Sequence, residues 1–200
     1  MADDSQTMAG PLFTVITPTI NRSTLVDTLD SVPDWVEHII VGDGVMPEFD
    51  REKYPGKIAI QTPQRLNNLG HSPRMFAWFY ATGKYIIYMD DDDVFLPNAF
   101  DVLKTEILND SDYDFYIFPA MRLGKLFYSR TLNYGQIVSN QYAHRRYSVD
   151  GQPIIFGDGR ADKGHGCDGY WMQHVVADRY LVKFLSTEAL VNVRAIGNGQ

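Results

Sequence analysis

The apolar run Tyr85-Ile86-Ile87-Tyr88-Met89 passes without a spacer into four aspartates, Asp90-Asp91-Asp92-Asp93, and the chain continues as Val94-Phe95-Leu96-Pro97. A run of that length and character reads as a buried strand. Its carboxylates therefore leave one sheet edge together and are held close. Like charges at such spacing repel and need compensation. A hard divalent cation with oxygen ligands supplies it, whereas a solvated acidic turn capping the next helix is the plainer alternative. In open α/β sheets, ligands bind beyond the carboxyl ends of the strands, which is where these acids fall.

The rest of the first 118 residues fits such a sheet. Leu12 to Thr17 is a β-branched strand that Pro18 should stop, and Asn21 or Ser23 is placed to cap a helix carrying Leu25, Leu29 and Val32. Val36 to Val41 is a second strand broken at Gly42-Asp43-Gly44, and Lys57 to Gln61 a third. Pro73 to Thr82 predicts a helix with Gly83 as its stop, Lys84 to Met89 the strand delivering the aspartates, and Pro97 the start of another helix. Tyr113 to Phe118 is a further strand. The order β-α-β-β-α-β-α-β predicts a mostly parallel sheet covered by helices on both faces. Beyond residue 119 the pattern weakens: short strands near Lys125–Ser129, a polar stretch Asn140–Tyr147, a glycine-rich loop Gly157–Gly169, a helix from Tyr170 to Asp178, and strands at Tyr180–Leu185 and Ala189–Val193.

Composition narrows the function classes. A net charge of −7 disfavours broad phosphate neutralisation, so no stable nucleic-acid binding is expected. The single cysteine, Cys167, excludes an internal disulfide and fits a reducing compartment. No apolar stretch approaches the roughly 20 residues of a membrane span. Residues 1–10 read as a flexible, polar leader without signal-peptide character, so a cytoplasmic protein is expected. Residues 11–200 are expected to form one domain, and the sequence leaves a homo-oligomer open.

Three strand ends could meet in one crevice: Thr17-Pro18-Thr19, Gly42-Asp43-Gly44 and the aspartates. Small residues there let backbone approach a flat ligand, and Asp43 could accept hydrogen bonds from a base edge. Arg74 follows Asn67-Asn68-Leu69-Gly70-His71-Ser72-Pro73 at a helix start, a place suited to a phosphate or an organising carboxylate. His144-Arg145-Arg146 reads as a solvated basic face.

Four of these segments, in order over residues 12–120, resemble family 2 glycosyltransferases of the GT-A fold. They are Phe13-Thr14-Val15-Ile16-Thr17-Pro18-Thr19-Ile20-Asn21-Arg22, His38-Ile39-Ile40-Val41-Gly42-Asp43-Gly44, Asn68-Leu69-Gly70-His71-Ser72-Pro73-Arg74, and Gly83 through Pro97 with its Asp-x-Asp-Asp core. The resemblance implies an α/β nucleotide-diphospho-sugar transferase fold, Rossmann-like, with a mostly parallel central sheet flanked by helices. It implies a donor half at 11–120 and an acceptor half at 121–200. The donor would be a UDP- or GDP-linked sugar, and the acceptor a hydroxyl, as on a glycan. Thr17, Pro18 and Thr19 would line the nucleobase pocket and Asp43 would bond the base. Arg74 would support the diphosphate side or the aspartates, and Asp91 would lie near the ribose. Asp90 and Asp92 occupy the acidic positions of the Asp-x-Asp motif, with Asp92 contacting Mg²⁺ or Mn²⁺.

Asp168, in Gly164-His165-Gly166-Cys167-Asp168-Gly169, matches in position the acid that serves inverting members as general base, although Cys167 stands where the family has a Glu-Asp pair. A sugar nucleotidyltransferase is the nearest enzymatic rival, but it should carry a glycine-rich, Arg-containing loop after its first strand. A non-catalytic module holding a cation and a glycan is the rival from another class; it would leave Asp43 and the first-strand motif without a task.

Overall fold

The computed structural model describes residues 10–157 and 170–194. Strand β1 (Phe13–Thr19) is buried along its whole length, because both faces of its sheet are covered. Its side chains alternate between two cores. Phe13 and Val15 join a cluster with Phe100, Leu103 and Ile107 of helix α3 (Ala99–Asn109), while Ile16 joins one with Ala77 and Trp78 of helix α2 (His71–Trp78). Strand β4 (Tyr85–Tyr88) alternates in the same way, Tyr85 and Ile87 to the first core, Ile86 and Tyr88 to the second. Each such fully buried aliphatic or aromatic side chain stabilises the fold by about 1.5–3 kcal/mol. Burial on both faces is why these strands read as unbroken apolar runs.

Helix α1 (Leu25–Asp30) joins β1 to β2 (Glu37–Gly42), and β3 (Lys57–Gln61) follows. β1, β2 and β3 pair in parallel, and β4 pairs in parallel on the other side of β1. The full order is β10-β6-β9-β4-β1-β2-β3, with β6 (Phe115–Ile117), β9 (Tyr142–Arg145) and β10 (Val182–Phe184) completing a seven-stranded sheet. The chain builds one way from β1 to β3 and the other way from β1 to β4, so the topological switch lies beside the ends of β1 and β4.

A second sheet, in the order β5-β11-β7-β8, joins β5 (Val94–Phe95), immediately after the aspartates, to β11 (Val191–Val193), β7 (Ala120–Arg122) and β8 (Lys125–Phe127). The two-residue β7–β8 turn has positive φ at Leu123 (52°) and Gly124 (70°), as a type I′ hairpin requires. Met172–Val176 forms a π-helical turn that runs into α4 (Ala177–Arg179). Among the described residues no helix is long and apolar enough to cross a membrane.

Three expectations are corrected. Pro18 does not stop β1; it pairs with Val41 inside the strand. The Ile16 carbonyl accepts the Met89 amide on the β4 side, and register with β4 ends at Ile16. Two residues on, Pro18 faces that same side, where the ladder has ended and no N–H is required.

Helix α2 stops at Trp78 rather than Thr82. Gly83 is needed for close packing instead: its N–H donates to Thr14 Oγ1 at 2.8 Å, and a Cβ there would meet Thr14 at 2.5 Å.

The polar stretch around His144 is no solvated face. β9 is an inner strand, antiparallel to both β4 and β6, and His144 is fully buried. The ring stacks on Phe115 with centroids 5.2 Å apart and lies beside Tyr88 and Trp171.

Candidate functional site

Beyond the ends of β1 and β4 lies a cavity of about 610 Å³. Its wall combines Pro18 and Thr19, the β2 turn at Asp43, the Arg65–Gly70 segment, Arg74, all four aspartates, the Tyr134–Asn140 segment, and Arg122, Val193 and Arg194 of the second sheet. Residues scattered from 18 to 194 thus meet at the switch point.

The aspartates divide their tasks because the chain turns sharply after β4. Asp91 is buried and both its oxygens are engaged: Oδ2 accepts Thr19 Oγ1–H at 2.6 Å and Oδ1 accepts from Arg22 Nη1 at 2.8 Å. This ties the end of β1 to the acidic turn. Asp90 is paired with Arg74, whose guanidinium also donates to the Leu69 carbonyl at 3.0 Å and lies 5.7 Å from the Phe156 ring centre.

Asp93 is buried, held by the Asn140 amide and by the Arg194 backbone N–H at 2.7 Å, while its own carbonyl accepts Thr28 Oγ1–H at 2.7 Å. Asp90, Asp92 and Asp93 each offer a carboxylate oxygen within 4.8 Å of the others. That donor set is all oxygen and anionic, which suits a hard divalent cation. The electrostatics agree. Burial and the neighbouring Asp90 push the Asp93 carboxyl up to about 8. Burial, then Asp90, raise that of Asp92 as well, with Arg22 opposing. A bound cation would relieve both.

Asp43 holds the pocket's other wall. Its Oδ1 accepts the Leu66 N–H and its Oδ2 the Asn67 N–H, each at 2.8 Å. The carboxylate thus shapes the segment leading into α2, and each oxygen keeps a second lone pair for a ligand. Gly70, with φ of 77°, opens that helix; a Cβ there would lie 2.8 Å from Pro18 and 3.1 Å from an Arg74 nitrogen. Only glycine lets α2, β1 and Arg74 converge so closely.

Of the residues read from the sequence, Pro18, Thr19, Asp43, Arg74, Asp90, Asp91 and Asp92 all line the cavity. Thr17 does not: its side chain is buried in the sheet, with Oγ1 2.9 Å from His38 Nε2. Position along the strand explains this: Thr17 and Thr19 share a face, but Thr17 lies within the sheet beside His38 whereas Thr19 is the last residue of β1, at the crevice. Asp168, with His165 and Cys167, lies outside the described residues, as does most of the expected leader.

Sequence reasoning missed Arg22, Asp93, Asn140 and Arg194 as parts of the site. Arg22 and Asp93 sit inside quoted motifs and carried a signal. Asn140 and Arg194 carried none, because long-range folding alone brings them there.

The sequence profile of glycosyl transferase family 2 matches residues 14–178. No curated protein matches the chain at a significant level. Among solved structures, residues 1–349 of S. aureus TarS superpose with a TM-score of 0.71 at 16% identity, covering 91% of this chain and 60% of that one. The complex of the same TarS portion with UDP gives 0.70 at 17% identity, covering 92% and 60%. The mannosyltransferase PcManGT from Pyrobaculum calidifontis, in complex with GDP-Man and Mn²⁺, gives 0.64 at 14% identity, covering 94% and 58%. The chain therefore spans about 60% of the length of these structures, and the likeness is one of fold, a GT-A-like α/β architecture with a mainly parallel central sheet.

Proposed function

Because this chain belongs to glycosyl transferase family 2, we propose that it moves a sugar from a nucleotide-diphosphate donor onto a hydroxyl acceptor. The observation that carries the reading is the convergence of the Asp90, Asp92 and Asp93 oxygens within 4.8 Å at a cavity on the switch point of the sheet. Those residues would hold Mn²⁺ or Mg²⁺, with Asp92 and Asp90 as ligands and Asp93 as the third. When bound, the cation would neutralise charge on the leaving nucleoside diphosphate.

The chain's own groups then have distinct tasks. Pro18, Thr19 and Asp43 shape the nucleobase wall, with Asp43 accepting from the base. Asp91 clamps the ribose side, and Arg74 orients Asp90 toward the diphosphate. Residues 11–120 bind the donor and 121–200 the acceptor, a glycan hydroxyl. Asp168 takes the proton from that hydroxyl as its oxygen attacks the anomeric carbon. The bond to the diphosphate breaks on the opposite face, and configuration inverts. UDP or GDP is the nucleotide, in keeping with the ligands of the TarS and PcManGT structures. The lone cysteine favours a reducing, cytoplasmic setting.

Calorimetric titration with UDP and GDP, with and without Mn²⁺, tests the reading on wild type and Asp92→Ala. One nucleotide should bind tightly, and only with both the metal and Asp92. Binding of Mn²⁺ with no nucleotide would replace the transferase with a cation- and glycan-holding module. Asp168→Asn should keep nucleotide affinity while losing about 10²–10⁴-fold in turnover, the usual contribution of a general base.

A further inference from the structure

Two arginines neutralise the aspartates that would hold the cation, and they are held very differently. Arg74 is fixed. Its side chain is 6% exposed, one nitrogen donates to the Leu69 carbonyl, the guanidinium lies over Phe156, and it meets Asp90. Arg22 is not fixed in that way. Its side chain is 41% exposed, and the partners of its Nη1 are carboxylates alone: Asp91 at 2.8 Å and Asp92 at 3.4 Å. Asp91 does not depend on Arg22 for its place, since Thr19 bonds its other oxygen in the buried end of β1. Asp92 has a different claim on it, as one of the three acids placed to share a cation.

We propose that Arg22 is a mobile counter-ion that covers Asp92 until a divalent cation and a nucleoside diphosphate arrive together. The inference rests on the donor-site reading above. A cation settling on Asp92 meets a guanidinium on the same carboxylate, and the two positive charges repel. A diphosphate supplies the displaced guanidinium with an anion in the same cavity, which Arg22 also lines. Arginine's planar fork can grip phosphate oxygens bidentately, whereas Arg22 meets these carboxylates through Nη1 alone. Cation and diphosphate then bind interdependently, and by linkage each raises the affinity for the other by the same factor. Arg22 is thus a positioning residue whose effect appears in the coupling between two ligands.

The test measures Mn²⁺ affinity by the electron paramagnetic resonance of the free ion, with and without saturating UDP or GDP, in wild type, Arg22→Ala and Arg22→Lys. In wild type the nucleotide should tighten Mn²⁺ binding by at least about tenfold, within the usual range of such couplings. Arg22→Ala should bind Mn²⁺ alone about fivefold or more tightly, bind nucleotide more weakly, and show coupling reduced by about the same factor, keeping the part that comes from direct attraction between cation and diphosphate. Arg22→Lys, which keeps the charge, should retain more of the coupling and guards against a folding defect in the alanine variant. Coupling unchanged in a folded Arg22→Ala would overturn the role of Arg22 and leave the donor site standing. Absence of nucleotide binding in wild type would overturn both.

Discussion

The backbone N–H of Arg194 donates to Asp93 Oδ1 at 2.7 Å across 101 residues of sequence. This bond and the Asn140 amide fix the most buried acid of the cluster from the second sheet and from the segment before β9. Asp93→Ala should therefore cost about 1–3 kcal/mol, because it strands the buried Asn140 amide and the partly buried Arg194 N–H. Asp93→Asn keeps an acceptor for the Arg194 N–H, and Asn140 can turn its amide oxygen to the new NH2, so stability should stay near wild type while Mn²⁺ affinity falls. Denaturant unfolding and metal titration of both variants separate the two effects.

Arg74→Lys should be far from conservative. One ammonium cannot meet Asp90, hold the Leu69 carbonyl and lie flat over Phe156 together. Calorimetry should show nucleotide affinity reduced on the order of tenfold, and unfolding a loss of about 1–2 kcal/mol, in line with a charged hydrogen bond.

Gly70→Ala tests the convergence behind the site. The new methyl would sit at positive φ and 2.8 Å from Pro18. A destabilisation of about 1–3 kcal/mol is expected from backbone strain and contact together. Nucleotide affinity should fall with it, since Pro18 and Arg74 both line the cavity.

His144 makes stability pH-dependent. Its Nδ1–H donates to the Arg145 carbonyl at 2.7 Å, its Nε2 lies 3.3 Å from the Tyr88 hydroxyl, and Phe115 and Trp171 enclose the ring. Burial lowers its pKa from 6.5 to about 4. Between those values the unfolded chain takes up a proton that the folded chain refuses. Stability should thus be constant above pH 6.5 on this account and fall by about 1.4 kcal/mol per pH unit toward pH 4. His38, buried beside Lys57 and held well below its ordinary value, acts in the same direction. The raised carboxyls of Asp93 and Asp92 give a slope of opposite sign in this range, so the His144 contribution is read as the difference between wild type and His144→Phe in urea midpoints taken between pH 7.5 and 4.5.

Legibility in the sequence followed the physics of each segment. β1, β2 and β4 could be read because strands covered on both faces must be apolar throughout. The aspartates could be read because they follow such a strand at once. β9 could not, since Tyr142-Ala143-His144-Arg145 carries polar atoms that its partners satisfy only after folding. The Arg145 side chain spends its charge on the carbonyls of Tyr113 and Ser111, which no local pattern announces.

The sequence by itself determined the alternating α/β order, the family, and the acids and turn residues at the ends of β1, β2 and β4, because those rest on local periodicity and contiguous motifs. Only the tertiary structure decided that Thr17 is taken up within the sheet by His38 while Thr19, at the strand's end, meets Asp91, and that Asp91 clamps β1 while Asp93 joins Asp90 and Asp92. It also decided that Arg22, Asn140 and Arg194 surround them. A carboxylate's task depends on the donors around it in space, and here those donors come from residues 19 to 194.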